Sequence, residues 1–209
     1  MNILLIGASG SGKGTQARIL VEKYGVCHLS MGDVLKEQVK LGTEQGKMID
    51  SYQKAGNLVP LDVVLSALKN KIASEPDAEG FLLDGFPRTM EQVKALDMPI
   101  ALVINFNNDL EKLKERLVSR RVCTNCNYNS HVSLLKDGKC PKCGGDVYQR
   151  TDDNEQSIDK RLNFYRNEVL PVVNYYKENG YNVVDIDADK SIEEVASQIE
   201  NAMKSIKNV

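Results

Sequence analysis

A chain of 209 residues can bury one substantial α/β core and carry a small insertion, but is too short for two full domains. Hydrophobic residues at 42% and charged residues at 27% fit a soluble globular protein, and no apolar run reaches the length of a membrane span. A net charge of -2 excludes any overall attraction to nucleic acid or acidic membrane, so an anionic ligand must be met by a local cluster of Lys and Arg, and a small substrate is expected.

The chain starts Met-Asn-Ile-Leu-Leu-Ile-Gly, with no basic start and no long apolar stretch to direct export, and a reducing cytoplasm is expected. The run Ile3 to Ile6 reads as a strand buried on both faces. Directly after it comes Gly7-Ala8-Ser9-Gly10-Ser11-Gly12-Lys13-Gly14-Thr15, opening into a helical pattern from Thr15 to Tyr24. This is the setting of a phosphate-binding loop. Its glycines let backbone amides turn around an anion, the helix start adds its positive end, and Lys13 can bridge the β- and γ-phosphates. Gly14 stands where the generic loop has Ser or Thr for magnesium, so the ion must lean on nucleotide phosphates, water and a distant carboxylate.

A weaker strand runs from Val26 to Leu29, and Cys27 on it, without a nearby partner in sequence, is expected to be a buried core thiol. A helical pattern covers Asp33 to Val39. The glycine-bounded stretches Gly42 to Gly46 and Gly56 to Pro60 then punctuate a helical region, predicting an insertion that moves as a unit. Helical spacing returns at Leu61 to Ala73, followed by the strand Phe81 to Leu83. Asp84 closes that strand, where ligands of parallel sheets bind, and is the candidate magnesium carboxylate. A strand at Ala101 to Phe106, helices at Leu110 to Arg120, Ile158 to Tyr176 and Ile192 to Ile206, and a strand at Asn182 to Ile186 complete the alternation. Strands alternating with helices imply a five-stranded parallel sheet with helices on both faces.

Between Arg120-Arg121 and Arg150 lie Cys123-Thr-Asn-Cys126 and Cys140-Pro-Lys-Cys143, with thirteen residues between the pairs. Each pair can turn two thiolates toward one ion, and the two together supply four tetrahedral corners, the pattern of structural zinc. Asn127, Gly144 and Gly145 are residue types that tolerate the left-handed backbone such knuckles need. Four thiolates leave no open coordination position, which argues against a catalytic metal. Disulfides are the competing pattern, and they suit a secreted domain better than this chain.

The string Asp84-Gly85-Phe86-Pro87-Arg88-Thr89, taken with the phosphate loop, closely resembles the adenylate kinase family. Ser30-x-Gly32-Asp33, Gly56-x-Leu58-Val59-Pro60, Arg120-Arg121, Tyr148-Gln149-Arg150-x-Asp152-Asp153-Asn154-Glu155 and Lys160-Arg161-Leu162 follow in the order that family shows. The resemblance covers nearly the whole chain and points to the variety with a zinc knuckle in its lid. It implies MgATP + AMP ⇌ 2 ADP, with ATP, AMP and ADP as ligands and Mg2+ and structural Zn2+ as cofactors. The implied division is a P-loop core at 1–29, 60–121 and 150–209, an AMP-binding insertion at 30–59 and a zinc-binding lid at 122–149. A monomer is expected.

The resemblance also implies residue roles. Gly10, Ser11, Gly12, Lys13, Gly14, Thr15, Arg116 and Arg120 would bind ATP, with Arg116 stacked on the adenine. Lys13, Arg120, Arg150 and Arg161 would surround the transferring phosphoryl group, and Arg88 would grip the AMP phosphate. Met31, Lys36, Asn57, Leu58, Val59, Gly85, Phe86, Pro87 and Gln92 would complete the AMP site, together with Arg88, Arg150 and Arg161. Gln92 can pair with adenine through both ends of its amide. Asp152 and Asp153 would hold arginines in the closed state. Met31 and Lys36 stand where the family usually has Thr and Arg, and looser base discrimination is expected from a lost hydroxyl and a lost bidentate fork. Ser9 replaces the usual Pro of the loop. Neither His28 nor His131 is needed as a base, because the AMP phosphate is already ionised near neutral pH.

Two other functions compete. A zinc-ribbon protein binding nucleic acid would carry a basic, aromatic-studded cysteine segment, but this one has Lys136, Lys139 and Lys142 against Asp137, with Tyr128 its lone aromatic. A kinase for another small metabolite would not need the motifs Asp84 to Arg88 and Tyr148 to Arg161.

Overall fold

The structure, a computed structural model, describes residues 1–55 and 57–207; Gly56 of the Gly56-to-Pro60 motif lies outside the described residues, as do 208 and 209. Five parallel strands form the main sheet in the order β2-β3-β1-β4-β8, built from β1 (Ile3–Gly7), β2 (Cys27–Ser30), β3 (Phe81–Asp84), β4 (Leu102–Asn107) and β8 (Val183–Asp187). Each expected strand is present within a residue or two of its predicted bounds. β1 lies at the centre with β3 on one side and β4 on the other, so the chain reverses its direction across the sheet there, the place where α/β sheets leave a crevice. The register sets Ser30 beside Asp84 and Asp84 beside Leu5 at the carboxyl ends.

Alternation along the strands explains why both faces are covered. Leu4, Ile6, Leu29, Leu83 and Val103 point into one buried cluster with α4 (Leu61–Ala73), α6 (Leu110–Val118), α7 (Glu155–Phe164) and α8 (Leu170–Glu178). Ile3, Leu5, Leu82, Leu102, Ile104 and Phe106 point into the other, against Ala17 and Leu20 of α1 (Lys13–Tyr24) and Val195, Ile199 and Met203 of α9 (Ile192–Lys207). Period-two side-chain direction thus gives the central strand β1 two apolar faces, Leu4 and Ile6 on one and Ile3 and Leu5 on the other.

Three local features depart from expectation, while the glycine-bounded stretch at Gly42 to Gly46 punctuates the helical region as predicted: α2 (Met31–Lys40) ends before Gly42, which has φ 68°, and α3 (Glu44–Lys54) starts after Thr43, whose side chain accepts from the Gly46 amide. A Cβ on Gly46 would sit 2.5 Å from the Gln38 carbonyl oxygen, so this glycine permits close packing of α3 on α2. Arg120, expected to end a helix, begins β5 (Arg120–Cys123), because α6 stops at Val118. β5 pairs antiparallel with β6 (Asn129–His131) and β7 (Val147–Tyr148) in a separate small sheet. A further short helix, α5 (Met90–Ala95), follows Thr89, whose hydroxyl caps it. The long helix expected from Ile158 to Tyr176 holds a π-helical turn at Tyr165–Val169 between α7 and α8, with Pro171 two residues beyond its end. Pro171 has no amide to continue the α-helical ladder, and the wider turn absorbs the loss.

Candidate active site and metal centre

The loop between β1 and α1 is shaped by glycines with distinct reasons. Gly10 has φ 84° and Gly12, the N-cap of α1, has φ 95°, a backbone region closed to most side chains. Gly7 has a different constraint, since a Cβ there would stand 2.8 Å from the Phe106 Cβ. The loop encloses Lys13, whose ammonium donates to the carbonyls of Gly7 and Ala8, both at 2.8 Å, and to the Ser11 hydroxyl at 3.1 Å. Burial pulls Lys13 down to about 8, with the Arg88, Arg161 and Arg120 charges adding to the fall and Asp84 opposing it. A cation held this way favours the arrival of an anion, which restores its charged form.

Asp84 stands where expected, at the end of β3, with its side chain 15% exposed. Burial alone would raise its carboxyl, but His28, Lys13 and Arg88 outweigh that and hold it below the usual carboxylate range. Its ionised state suits a cation carried by phosphates and water. His28 Nε2 lies 3.6 Å from Asp84 Oδ2, too far for a direct hydrogen bond. That neighbour was not foreseen, since the two residues are 56 positions apart and meet only through the β2–β3 register.

The arginines do not stand free. Arg120 holds Asp153 through two bonds of 2.7 and 2.5 Å, and Asp153 is 1% exposed. Arg150 holds Asp152 in the same bidentate manner at 2.8 and 2.7 Å. Arg161 joins the pairs, donating to the Asp152 carbonyl at 3.0 Å and to Asp153 Oδ1 at 3.2 Å, and it reaches the loop through Ser9 Oγ at 3.2 Å. Burial would raise the Asp152 carboxyl, yet the charges of Arg150 and Arg161 hold it low. The flat guanidinium matches a carboxylate two oxygens at a time, and a phosphate presents the same fork. The two aspartates therefore keep three cations ordered beside the loop.

Arg88 is fixed differently. Its Nε donates to the Gly85 carbonyl at 2.7 Å, and a Cβ on Gly85, at φ 80°, would come within 2.8 Å of an Arg88 nitrogen. Phe86 and Pro87 are buried beside it, joined by a cis peptide bond. Gln92 is buried too, and its Oε1 accepts from the Arg88 amide at 2.7 Å. Its oxygen has a second lone pair, so pairing with a base can be added to that bond.

The rest of the expected nucleotide site is spread more widely. Met31 is 4% exposed within the core cluster, whereas Lys36 lies in solvent and pairs with Asp33 at 2.9 Å. Asn57 is exposed, Leu58 half-buried and Val59 buried. Arg116, near the end of α6, donates to the Ala188 carbonyl at 3.4 Å and lies 3.7 Å from Asp189. Gly14 and Thr15 occupy the first turn of α1, and Gln16 beside them is buried, bonded to the Ile192 carbonyl at 2.9 Å. Cys27 is only half-buried at the sheet edge, and burial raises its thiol with Glu75 adding to the effect.

The four knuckle cysteines do converge: their sulfurs all lie within 4.8 Å of one another. Contacts of 3.5 Å between Cys123 and Cys143, 3.7 Å between Cys126 and Cys140 and 3.3 Å between Cys126 and Cys143 are too long for disulfides. A tetrahedron with zinc–sulfur bonds of about 2.3 Å has edges of about 3.8 Å, so the donor set fits that ion. Amides of Asn125 and Cys126 point at Cys123 Sγ from 3.4 and 3.5 Å, as they would toward a thiolate. The Cys126 amide leads the effects that bring Cys123 down to about 6. Asn127 at φ 53° and Gly144 at φ 71° make the two turns, as anticipated. A Cβ on Gly145 would press 3.2 Å from Cys123 Sγ. His131, on β6, bonds Ser133 and is exposed. Tyr128, just past the first knuckle, lies under Arg18 of α1, with 5.6 Å from guanidinium carbon to ring centre.

A parallel sheet, a phosphate loop at its reversal point, an ionised aspartate at a strand end and converging arginines define a P-loop phosphotransferase. A model of the adenylate kinase family matches residues 5–181. The adenylate kinase of Desulforamulus reducens is 43% identical over 98% of this chain and 100% of its own length. That of Alkaliphilus oremlandii is 44% identical over 98% and 99%, and that of Archaeoglobus fulgidus 41% identical over 100% of each. The chain belongs to the adenylate kinase family, and its cysteine cluster places it with the members that carry four metal-ligating thiols in the lid. Among the described residues no helix is long and apolar enough to cross a membrane.

Proposed function

We propose that the protein catalyses MgATP + AMP ⇌ 2 ADP as a cytoplasmic monomer, in adenine nucleotide homeostasis. The observation that carries this reading is the convergence on one phosphate loop of Lys13, held by the Gly7 and Ala8 carbonyls, and Arg161, bonded to Ser9 Oγ at 3.2 Å, with Arg120 joined to Arg161 through Asp153 Oδ1. An oxygen of the AMP phosphate attacks the γ-phosphorus in line, the bond to the β–γ bridging oxygen breaks, and ADP departs from each side. No proton need move. The protein's part is positive charge on the moving group and exclusion of water.

In this reading Gly10, Ser11, Gly12, Gly14 and Thr15 cradle the ATP phosphates, and Arg116 lies against the adenine. Arg88 grips the AMP phosphate. Asp152 and Asp153 hold Arg120, Arg150 and Arg161 in the closed state, with the remaining guanidinium N–H groups turned to phosphate oxygens. Asp84 is the residue that would hold magnesium through water, and the ion would supply charge neutralisation on the transferring phosphates. Residues 30–59 form the AMP-binding insertion and 122–149 the lid, moving against a core of 1–29, 60–121 and 150–209. Zinc at Cys123, Cys126, Cys140 and Cys143 stabilises that lid, which is too short at 28 residues to bury a core of its own. Gln92 reads the base, while Met31, Lys36, Asn57, Leu58, Val59, Gly85, Phe86 and Pro87 wall the AMP site.

Coupled measurement of ADP formation with AMP, CMP, UMP and GMP at saturating ATP tests the reading. AMP is expected to be the preferred acceptor, with discrimination sharpened by Met31→Thr. Absence of ADP formation with AMP would overturn the function, and a strict AMP preference unchanged by Met31→Thr would overturn the role of Met31.

A further inference from the structure

β8 runs into Ala188 and Asp189, just short of α9, and the Asp189 side chain is 19% exposed. Its Oδ2 accepts from the Asp109 amide, the N-cap of α6, at 2.9 Å and lies 3.8 Å from Lys112. Its Oδ1 accepts from Asn108 Nδ2 at 3.0 Å and lies 3.7 Å from Arg116 Nη2. Arg116 adds the bond from Nη1 to the Ala188 carbonyl. One carboxylate thus touches the β4–α6 connection, the start of α6 and a side chain seven residues along the same helix. The geometry is economical. Residues 109, 112 and 116 share one helix face, and helical side chains lean toward the N-terminus, so Arg116 reaches back to the carboxylate that satisfies the first amide of its own helix. Both contacts engage the in-plane nitrogens of the guanidinium, which leaves its flat faces for stacking, and Arg116 remains 39% exposed.

We propose that Asp189 is a positioning residue for donor-base recognition: through its Oδ1 and the adjoining Ala188 carbonyl it fixes the plane of Arg116 on which the adenine of ATP stacks. The proposal rests on the reading above that Arg116 lies against that base. Burial would raise the Asp189 carboxyl, but Asn108, the Asp109 amide and the Lys112 and Arg116 cations keep it ionised, so the carboxylate is available for this work.

Steady-state kinetics of Asp189→Asn, Arg116→Ala and the double variant, with melting temperatures, test it. Asp189→Asn is expected to raise KM for ATP about threefold to tenfold, the worth of one charged contact, with kcat and KM for AMP unchanged. In the Arg116→Ala background the same substitution should add nothing. Asp109→Ala, which removes only the helix cap, should lower the melting temperature and leave KM for ATP in place. The proposal is overturned if Asp189→Asn leaves KM for ATP unchanged while Arg116→Ala raises it. It is also overturned if the Asp189→Asn effect persists undiminished without Arg116, or follows the melting temperature in Asp109→Ala. If Arg116→Ala itself leaves KM for ATP unaltered, the assignment of Arg116 fails first and the proposal with it.

Discussion

Along β1 and β3 the side chains of Ile3, Leu4, Leu5, Ile6, Leu82 and Leu83 are at most 3% exposed, whereas the cysteine segment leaves Val132, Leu134 and Tyr148 exposed by 43%, 62% and 48%. The first region is held by apolar surface on both faces of a sheet. The second has three short strands, two knuckles and four sulfurs. Burial of apolar area grows with size, so a core spanning most of the chain can hold a strained, charge-rich loop in place, while a 28-residue segment needs bonds of another kind. The same contrast separates their chemistry: Asp84 ends a strand of the main sheet and Lys13 opens the helix that follows its central strand, whereas Arg120 and Arg150 flank the segment that metal would stiffen.

The contrast predicts that the two regions fail independently. Removing the metal with a chelator, or replacing Cys126 by Ser, should abolish amide-exchange protection in β5, β6 and β7 while β1, β3 and β4 keep theirs; the metal-bond free energies of small zinc domains, about 10–16 kcal/mol, make this the largest effect. Joint loss of protection in both sheets would make metal part of the core's stability. Conversely, Lys13→Met should lower kcat by about 10²–10³-fold, the cost of one preorganised charge donor, while metal content stays at one ion per chain. Leu117→Ala empties a fully buried position against Gly10 and should cost about 2–5 kcal/mol in denaturant unfolding, leaving the metal bound.

A titration separates the regions more finely. Lys13 falls to about 8 in the folded chain from 10.5, so its protonated form is disfavoured by folding, and stability on its account rises as pH climbs from about 8 to 10.5. ATP phosphates should draw that proton back. Calorimetric titration at pH 9 in buffers of different ionisation heat should show proton uptake on binding, absent in Lys13→Arg. Asp84 and Asp152 have the same slope in a lower pH range: their folded values are lowered too, so the stability they contribute is present above the unfolded carboxylate range and lost as pH falls below it. The smallest effect concerns the seam between the regions. Tyr128→Leu removes the ring under Arg18, worth about 0.5–1 kcal/mol, and should raise the rate of lid opening, read by relaxation dispersion, about twofold to fivefold.

Much of the molecule could be read along the chain. The apolar runs of all five parallel strands, the phosphate loop and both knuckles are local patterns, because φ > 0 at Gly10, Gly12, Asn127 and Gly144 is demanded within a few residues of where it occurs. Local reading misplaced Arg120, since a strand of the small sheet competes with the helix end, and it placed the break between α2 and α3 without showing that Gly46 admits the Gln38 carbonyl. Cys27 was expected deeper than its sheet-edge position allows.

Chain order alone therefore fixed the chemistry that depends on neighbours: the amide cradle with its lysine, and two thiol pairs spaced to face one ion. Tertiary structure decided the pairings. Arg120 meets Asp153 from 33 positions away, Arg161 meets Ser9 from 152, and Arg116 meets Ala188 from 72. Such contacts carry no local signature, because a guanidinium finds its carboxylate only where packed helices and a parallel register bring the two together, and the register is set by apolar faces elsewhere in the sheet.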